Sequence, residues 1–266
     1  MASGSRGGKS TVLIFGKTGD GKSTLANMLV SRALSASHKD KFRIGDGMDG
    51  VTTKCKMAEG NNYKVIDTVG LGEDETGRKT AEDIILEFLN RTKHEYSHVI
   101  FVKDACRMDN LDRAIWQIFL KIFGSMQPAF VVVISKTPNP PEQWFAKNHD
   151  MLLQEYSECN RRFVCVDFPP IDRELEFRNQ KTREDSLQHL LNYLDQMRRE
   201  NGYRTFRPEY FDFVGAPLRR YSSGVFATMR ALADKFGITL TRFANSLGIM
   251  GSVASIAASA ATCAIL

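Results

Sequence analysis

Eight consecutive residues, Gly16-Lys17-Thr18-Gly19-Asp20-Gly21-Lys22-Ser23, follow the spacing G-x-x-x-x-G-K-S and run on into Thr24-Leu25-Ala26-Asn27-Met28-Leu29-Val30, a good helix former. Glycines in such a loop let successive backbone N–H groups converge on phosphate oxygens without Cβ clashes, and the N-terminus of the following helix adds partial positive charge. The chemistry implied is the cradling of a nucleoside polyphosphate by residues Gly16 through Thr24. Lys22, the first candidate catalytic residue, is expected to bridge the β- and γ-phosphates, and the Ser23 hydroxyl to bind Mg²⁺.

A second element falls about 45 residues after Lys22, where Asp67-Thr68-Val69-Gly70 closes an apolar run as D-x-x-G. There Asp67 is expected to hold Mg²⁺ through water and the Gly70 N–H to sense the γ-phosphate. Between the two lies GDGMDGVTTKC, a Gly- and Asp-rich loop in which Thr52 is the candidate to bring a hydroxyl to the metal and an N–H to the γ-phosphate, with Thr53 as second choice. On β propensity alone, both threonines equally suit the start of a strand. The residue after D-x-x-G is Leu71, where small GTPases carry the glutamine that orients water, so slow hydrolysis is expected in isolation. Arg107, in FVKDACRMDNLD, is the second candidate catalytic residue: from that position an arginine can enter a partner's site and neutralise transition-state charge.

The base-reading element is incomplete. VVISKTPNP ends a buried run with Ser135-Lys136-Thr137-Pro138, where guanine-reading loops carry Asn/Thr-Lys-x-Asp, and no acid follows. Asp167, after the next apolar run, is the candidate to accept from guanine N1–H and N2–H₂; it also reads as a turn residue before Pro169-Pro170. Ser135 and Lys136 mark the base pocket, with the Lys136 stem over one face of the base and Pro138, Pro140 and Pro141 stiffening the loop. An ATP-dependent P-loop enzyme that does not read guanine remains an alternative.

These residues need a sheet to bring them together. Apolar, β-branched runs at 11–15, 63–67, 98–103, 129–135 and 162–168 read as strands, and apolar stripes at helical spacing lie between and after them. The stripes are Ile84, Ile85, Phe88 and Leu89; Ile115, Ile118, Phe119 and Ile122; and Leu187, Leu190, Leu191, Leu194 and Met197. Alternation of this kind predicts an α/β fold of the P-loop NTPase type, three layers with a mostly parallel sheet between helices, followed by a helical C-terminal extension. The 266 residues divide into a disordered lead-in at 1–10, a nucleotide-binding domain at 11–202, a helical extension at 203–242 and an apolar tail at 243–266. A formal net charge of +5 is spread over the chain, so no nucleic-acid partner is expected. The five cysteines show no metal-binding spacing and read as reduced cytosolic thiols.

GKTGDGKSTLANMLV, GVTTKC, DTVGLGE, HVIFVKDACRMD and REDSLQHLLNYL together resemble the AIG1-type, immunity-associated GTPases, which sit near septins and the chloroplast Toc receptors. The resemblance covers residues 12–199 and implies GTP or GDP with Mg²⁺ as cofactors. It also implies a homodimer formed through the nucleotide faces, with Arg107 acting across it. The family carries Gly-Arg-aromatic-Thr where this chain has Cys106-Arg107-Met108-Asp109, and an asparagine where Asp167 stands. A scaffold that binds nucleotide without hydrolysing it is the other reading of Leu71.

From Phe243 to Leu266 no residue is charged, and the preceding stretch is rich in arginine. A helix of about 24 residues would be long enough to span a bilayer core. Cys263-Ala264-Ile265-Leu266 instead fits the prenylation pattern, and a third reading folds an amphipathic segment back on the domain. The first two predict a cytoplasmic protein held at the cytosolic face of an intracellular membrane.

Overall fold

The computed structural model describes residues 9–32, 41–42, 56–68, 94–138, 140–170 and 176–210, together with 230, 231, 233–235, 239 and 242. Its described strands are β1 (Ser10–Gly16), β2 (Lys56–Glu59), β3 (Tyr63–Asp67), β4 (His98–Asp104), β5 (Phe130–Ser135) and β6 (Phe163–Cys165). They form one sheet in the order β2-β3-β1-β4-β5-β6, parallel throughout except for the β2–β3 pair. The described α-helices are α1 (Lys22–Ser31), α2 (Asn110–Phe123), α3 (Pro141–Glu155) and α4 (Glu176–Glu200).

β4 and β5, HVIFVKD and FVVVIS, are buried on both faces almost throughout, which is why they read as continuous apolar runs. On one face Val12, Ile14, Ile100, Val102, Val131 and Val133 pack with Leu25 and Leu29 of α1 and with Leu190 and Leu194 of α4. Aromatic residues fill the other face: the Phe101 ring lies 4.9 Å from Trp116 of α2 and 5.9 Å from Tyr156, just past the end of α3. The result is the three-layer α/β/α arrangement.

Chain order reverses at β1, which leads to β3 on one side and β4 on the other, so the crevice beyond the carboxyl ends of the strands opens there. Gly16, Asp67, Asp104 and Ser135 are the last residues of their strands and share that edge.

Three details differ from the sequence reading. β2, a short and mostly exposed edge strand, lacks the apolar run that would reveal it. β6 stops at Cys165 instead of reaching Phe168: the Val166 N–H still donates to the Ile134 carbonyl, but the Asp167 N–H turns away from the sheet to the Ser186 hydroxyl oxygen. Pro140 and Pro141 do more than stiffen a loop: Pro141 opens α3, where its fixed φ and missing N–H cost nothing.

Residues 1–75, 95–116 and 126–206 form one compact unit, which holds the sheet, and 76–94, 117–125 and 207–266 form a second. In the second, Lys235 pairs with Glu209 at 3.0 Å, and the Phe119 and Phe123 rings stand 5.4 Å apart. The Ile84–Leu89 stripe and the 243–266 tail lie outside the described residues. Among the described residues no helix is long and apolar enough to cross a membrane.

Candidate nucleotide-binding site

β1 delivers the chain to the phosphate loop at Gly16, where a Cβ would stand 2.2 Å from the Val102 carbonyl oxygen of the neighbouring strand. Gly21 turns the loop into α1 with φ at +91°, in the left-handed region that favours glycine. The Lys22 ammonium reaches back across the loop and donates to the Lys17 carbonyl at 2.6 Å. Thus the glycine turns, the Lys22 ammonium and the N-terminus of α1 lie together in one loop, the combination that phosphate binding uses.

Ser23 and Asp67, 44 residues apart in sequence, meet directly: the serine hydroxyl donates to Asp67 Oδ2 at 2.7 Å. Asp67 is fully buried, and its Oδ1 has no hydrogen-bond partner among the described residues. Burial pushes its carboxyl above the usual carboxylate range, against the opposing pull of Ser23 and Lys22. A hydroxyl beside a buried carboxylate with an orphaned oxygen suits a hard divalent cation, which takes oxygen ligands and supplies the missing partner. Thr68 fixes the turn that follows by donating its hydroxyl to the Ile14 carbonyl at 2.8 Å. Thr52, Thr53, Gly70 and Leu71 lie outside the described residues.

Ser135 and Lys136 both reach the phosphate loop. The buried Ser135 hydroxyl donates to the Asp20 carbonyl at 2.6 Å, and Lys136 Nζ donates to the Gly19 carbonyl at 2.8 Å from a residue with φ at +54°. These two bonds fix the spacing between the loop after β5 and the phosphate cradle. One strand over, the Val166 N–H donates to the Ile134 carbonyl at 2.9 Å and the Thr137 N–H to the Val166 carbonyl at 3.2 Å. Asp167 is the next residue, half-buried beside the Ser135–Thr137 loop, with its carboxyl raised by burial against the lowering effect of Arg183.

A sequence profile of the AIG1 family matches residues 10–219. The chain belongs to the AIG1 family. It is 21% identical over 213 residues to immune-associated nucleotide-binding protein 9 of Arabidopsis thaliana, covering 76% of this chain and 59% of that one. It is 30% identical over 152 residues to translocase of chloroplast 34 of Pisum sativum, covering 54% and 47%. The chain therefore spans about half the length of the curated relatives it matches. Among solved structures, Toc33 of Arabidopsis thaliana in complex with GDP and Mg²⁺ is similar at a TM-score of 0.45 and 19% identity, over 67% of this chain and 84% of that one. The bacterial dynamin GTPase LeoA is similar at 0.47 and 18%, over 71% and 36%.

In this AIG1-family chain the segment after β4 is tied to the phosphate loop by charge. Lys17 Nζ lies 2.8 Å from Asp109 Oδ2 and 3.9 Å from Asp112 Oδ1. Asp109 and Asp112 cap the start of α2 reciprocally: Asp109 Oδ1 accepts the Asp112 N–H at 2.7 Å, and Asp112 Oδ2 accepts the Asp109 N–H at 2.9 Å. Behind them buried Lys103 pairs with Asp104 and lies 3.5 Å from Asp112. Arg107 sits on the exposed turn in front, next to buried Met108. Asp109 and Asp112 were not singled out in the sequence; their D-x-x-D spacing ahead of an apolar stripe is the signal that could have found them, and nothing there signals the link to Lys17.

Asp20 and Lys17 contribute differently from the glycines around them. Asp20 is only 4% exposed and its Oδ2 has no hydrogen-bond partner among the described residues, while its backbone carbonyl accepts from the Ser135 hydroxyl. The Lys17 side chain pairs with α2, and its carbonyl takes the Lys22 bond. Within the loop, both residues therefore act through backbone atoms.

Proposed function

We propose that the chain is a guanine-nucleotide switch that binds GTP or GDP with Mg²⁺, hydrolyses GTP slowly and works as a dimer paired through the nucleotide face. The Ser23–Asp67 contact carries the reading, since it unites two residues assigned independently to one metal ion. Membership of the AIG1 family and similarity to a protein named as nucleotide-binding support it.

The bound cation would neutralise phosphate charge and hold the β- and γ-oxygens in place. Lys22 would exchange the Lys17 carbonyl for those same oxygens, at little cost because its ammonium already lies across the loop. Ser135 and Lys136 hold the base loop to the cradle, and Asp167 would take the guanine N1 and N2 hydrogens. Leu71 cannot orient water, so Arg107 of a second copy is assigned the transition-state charge, and its exposed turn leaves it accessible. The uncharged stretch from Phe243 supports attachment at a membrane surface.

The test is GTP turnover per molecule against protein concentration, for the wild type and R107A. Turnover should rise with concentration in the wild type and stay flat and low in R107A. Negligible, concentration-independent turnover in both would point instead to a scaffold that only binds nucleotide.

A further inference from the structure

Arg183 is buried in α4, 5% exposed, and its guanidinium makes contacts that nucleotide binding as described leaves unused. Nη1 donates to the carbonyls of Phe168 at 3.3 Å and Pro169 at 2.9 Å, and Nη2 donates to Met28 Sδ at 3.1 Å. Met28 belongs to α1, the helix whose first turn holds Lys22 and Ser23. One turn along α4, the buried Ser186 hydroxyl oxygen accepts the Asp167 N–H at 3.0 Å. One face of α4 thus grips the Asp167-Phe168-Pro169 segment at three backbone atoms and joins it to the phosphate-loop helix.

The grip answers a local need. After Val166 the chain leaves the sheet, and Pro169 and Pro170 have no N–H, so this segment offers acceptors with few donors of its own. A guanidinium supplies several donors in a rigid plane and suits adjacent carbonyls better than an ammonium does. A buried guanidinium is strongly destabilising unless its donors are satisfied, so its placement against these acceptors is not incidental.

We propose that Arg183 and Ser186 are positioning residues that set the base specificity of the site, holding Asp167 beside the Lys136 loop at the height where its carboxylate meets guanine. This rests on the reading of Asp167 as the base-reading acid. Arg183 also lowers the Asp167 pKa against the effect of burial, favouring the carboxylate form that guanine recognition needs.

The experiment titrates the full chain with fluorescent GTP and ATP in Mg²⁺, for the wild type, D167A, R183A, R183K and S186A, with a thermal melt of each. R183A should reduce the GTP-over-ATP affinity ratio about tenfold, the scale of lost hydrogen bonds to a charged group. Affinity for ATP, set at the phosphate loop, should hold. R183K should fall between R183A and the wild type, and S186A should lose a smaller part of the ratio. S186A and R183K keep the question answerable if R183A does not fold. The proposal is overturned if D167A abolishes the preference while S186A and R183K leave it intact, or if GTP and ATP affinities fall together. A wild type with no preference, or a D167A protein that keeps the wild-type preference, removes the reading of Asp167 and this proposal with it.

Discussion

Replacing Asp20 with asparagine should stabilise the nucleotide-free protein, and the gain should grow with pH. Burial pushes the Asp20 carboxyl up to about 7 from its ordinary 3.8, with Asp104 and Asp112 adding repulsion and Lys103 and Lys22 only partly offsetting it. The folded state therefore holds this proton more tightly than the unfolded chain. Its contribution is complete below about pH 4 and is lost as pH rises through about 7. Each tenfold change in proton affinity is worth about 1.36 kcal/mol, so between about pH 5 and pH 8 the wild type should lose about 2 to 3 kcal/mol that D20N keeps. Urea unfolding of both proteins in chelator at those two pH values reads the difference, because every other titrating group is common to both. Asparagine leaves the backbone carbonyl that accepts from Ser135, so the loop should keep its shape. A stability gap between the two proteins that stays constant with pH refutes the reasoning.

Other predictions concern the metal, the base and the far end of the sheet. S23A should reduce the Mg²⁺-dependent part of nucleotide affinity about tenfold or more, as read by titration with and without chelator, and should lower the melting temperature by a few degrees, because buried Asp67 loses the hydroxyl that donates to it. D167N should move preference from GTP toward XTP, since the amide offers a donor where the carboxylate accepted; competition between the two nucleotides reads the exchange. His98 is fully buried, its Nε2–H donating to the Leu194 carbonyl at 2.9 Å, and burial lowers its pKa to about 4. Its stabilising contribution is present above about pH 6.5 and is lost as pH falls through about 4, worth about 3 kcal/mol. Its imidazole resonance should stay that of the neutral form at pH 6, and a midpoint near 6.5 would show that the burial argument is wrong.

The parts of the molecule that were legible in the sequence are those whose causes are local. The phosphate loop is eight contiguous residues with a chemistry of their own, and β1, β3, β4 and β5 are runs whose apolar character follows from burial on both faces. Ser23 and Asp67 were each assigned to Mg²⁺ from their motifs, and the parallel pairing of β1 with β3 is what brings them into contact. Long-range reach was not legible. Nothing in the spacing of Lys136 and Gly19, or of Lys17 and Asp109, announces that these side chains bridge separate elements. Asp20 read simply as part of the phosphate loop; that the turn of the loop buries its side chain near Lys103, a residue more than 80 positions away, was not legible. Arg183 and Ser186 carry no signal of their own in the sequence, and only the path of the chain past Val166 gives them acceptors and a donor to hold.

The central claim is that this cradle holds a guanine nucleotide together with Mg²⁺. Equilibrium titration of the full chain with fluorescent GTP, GDP and ATP, each with and without Mg²⁺, tests it most directly. Guanine nucleotides should bind in a Mg²⁺-dependent way and at least about 100-fold more tightly than ATP, the discrimination that a buried pair of hydrogen bonds to the base can supply. ATP binding as tight as GTP, or affinity indifferent to Mg²⁺, would contradict it.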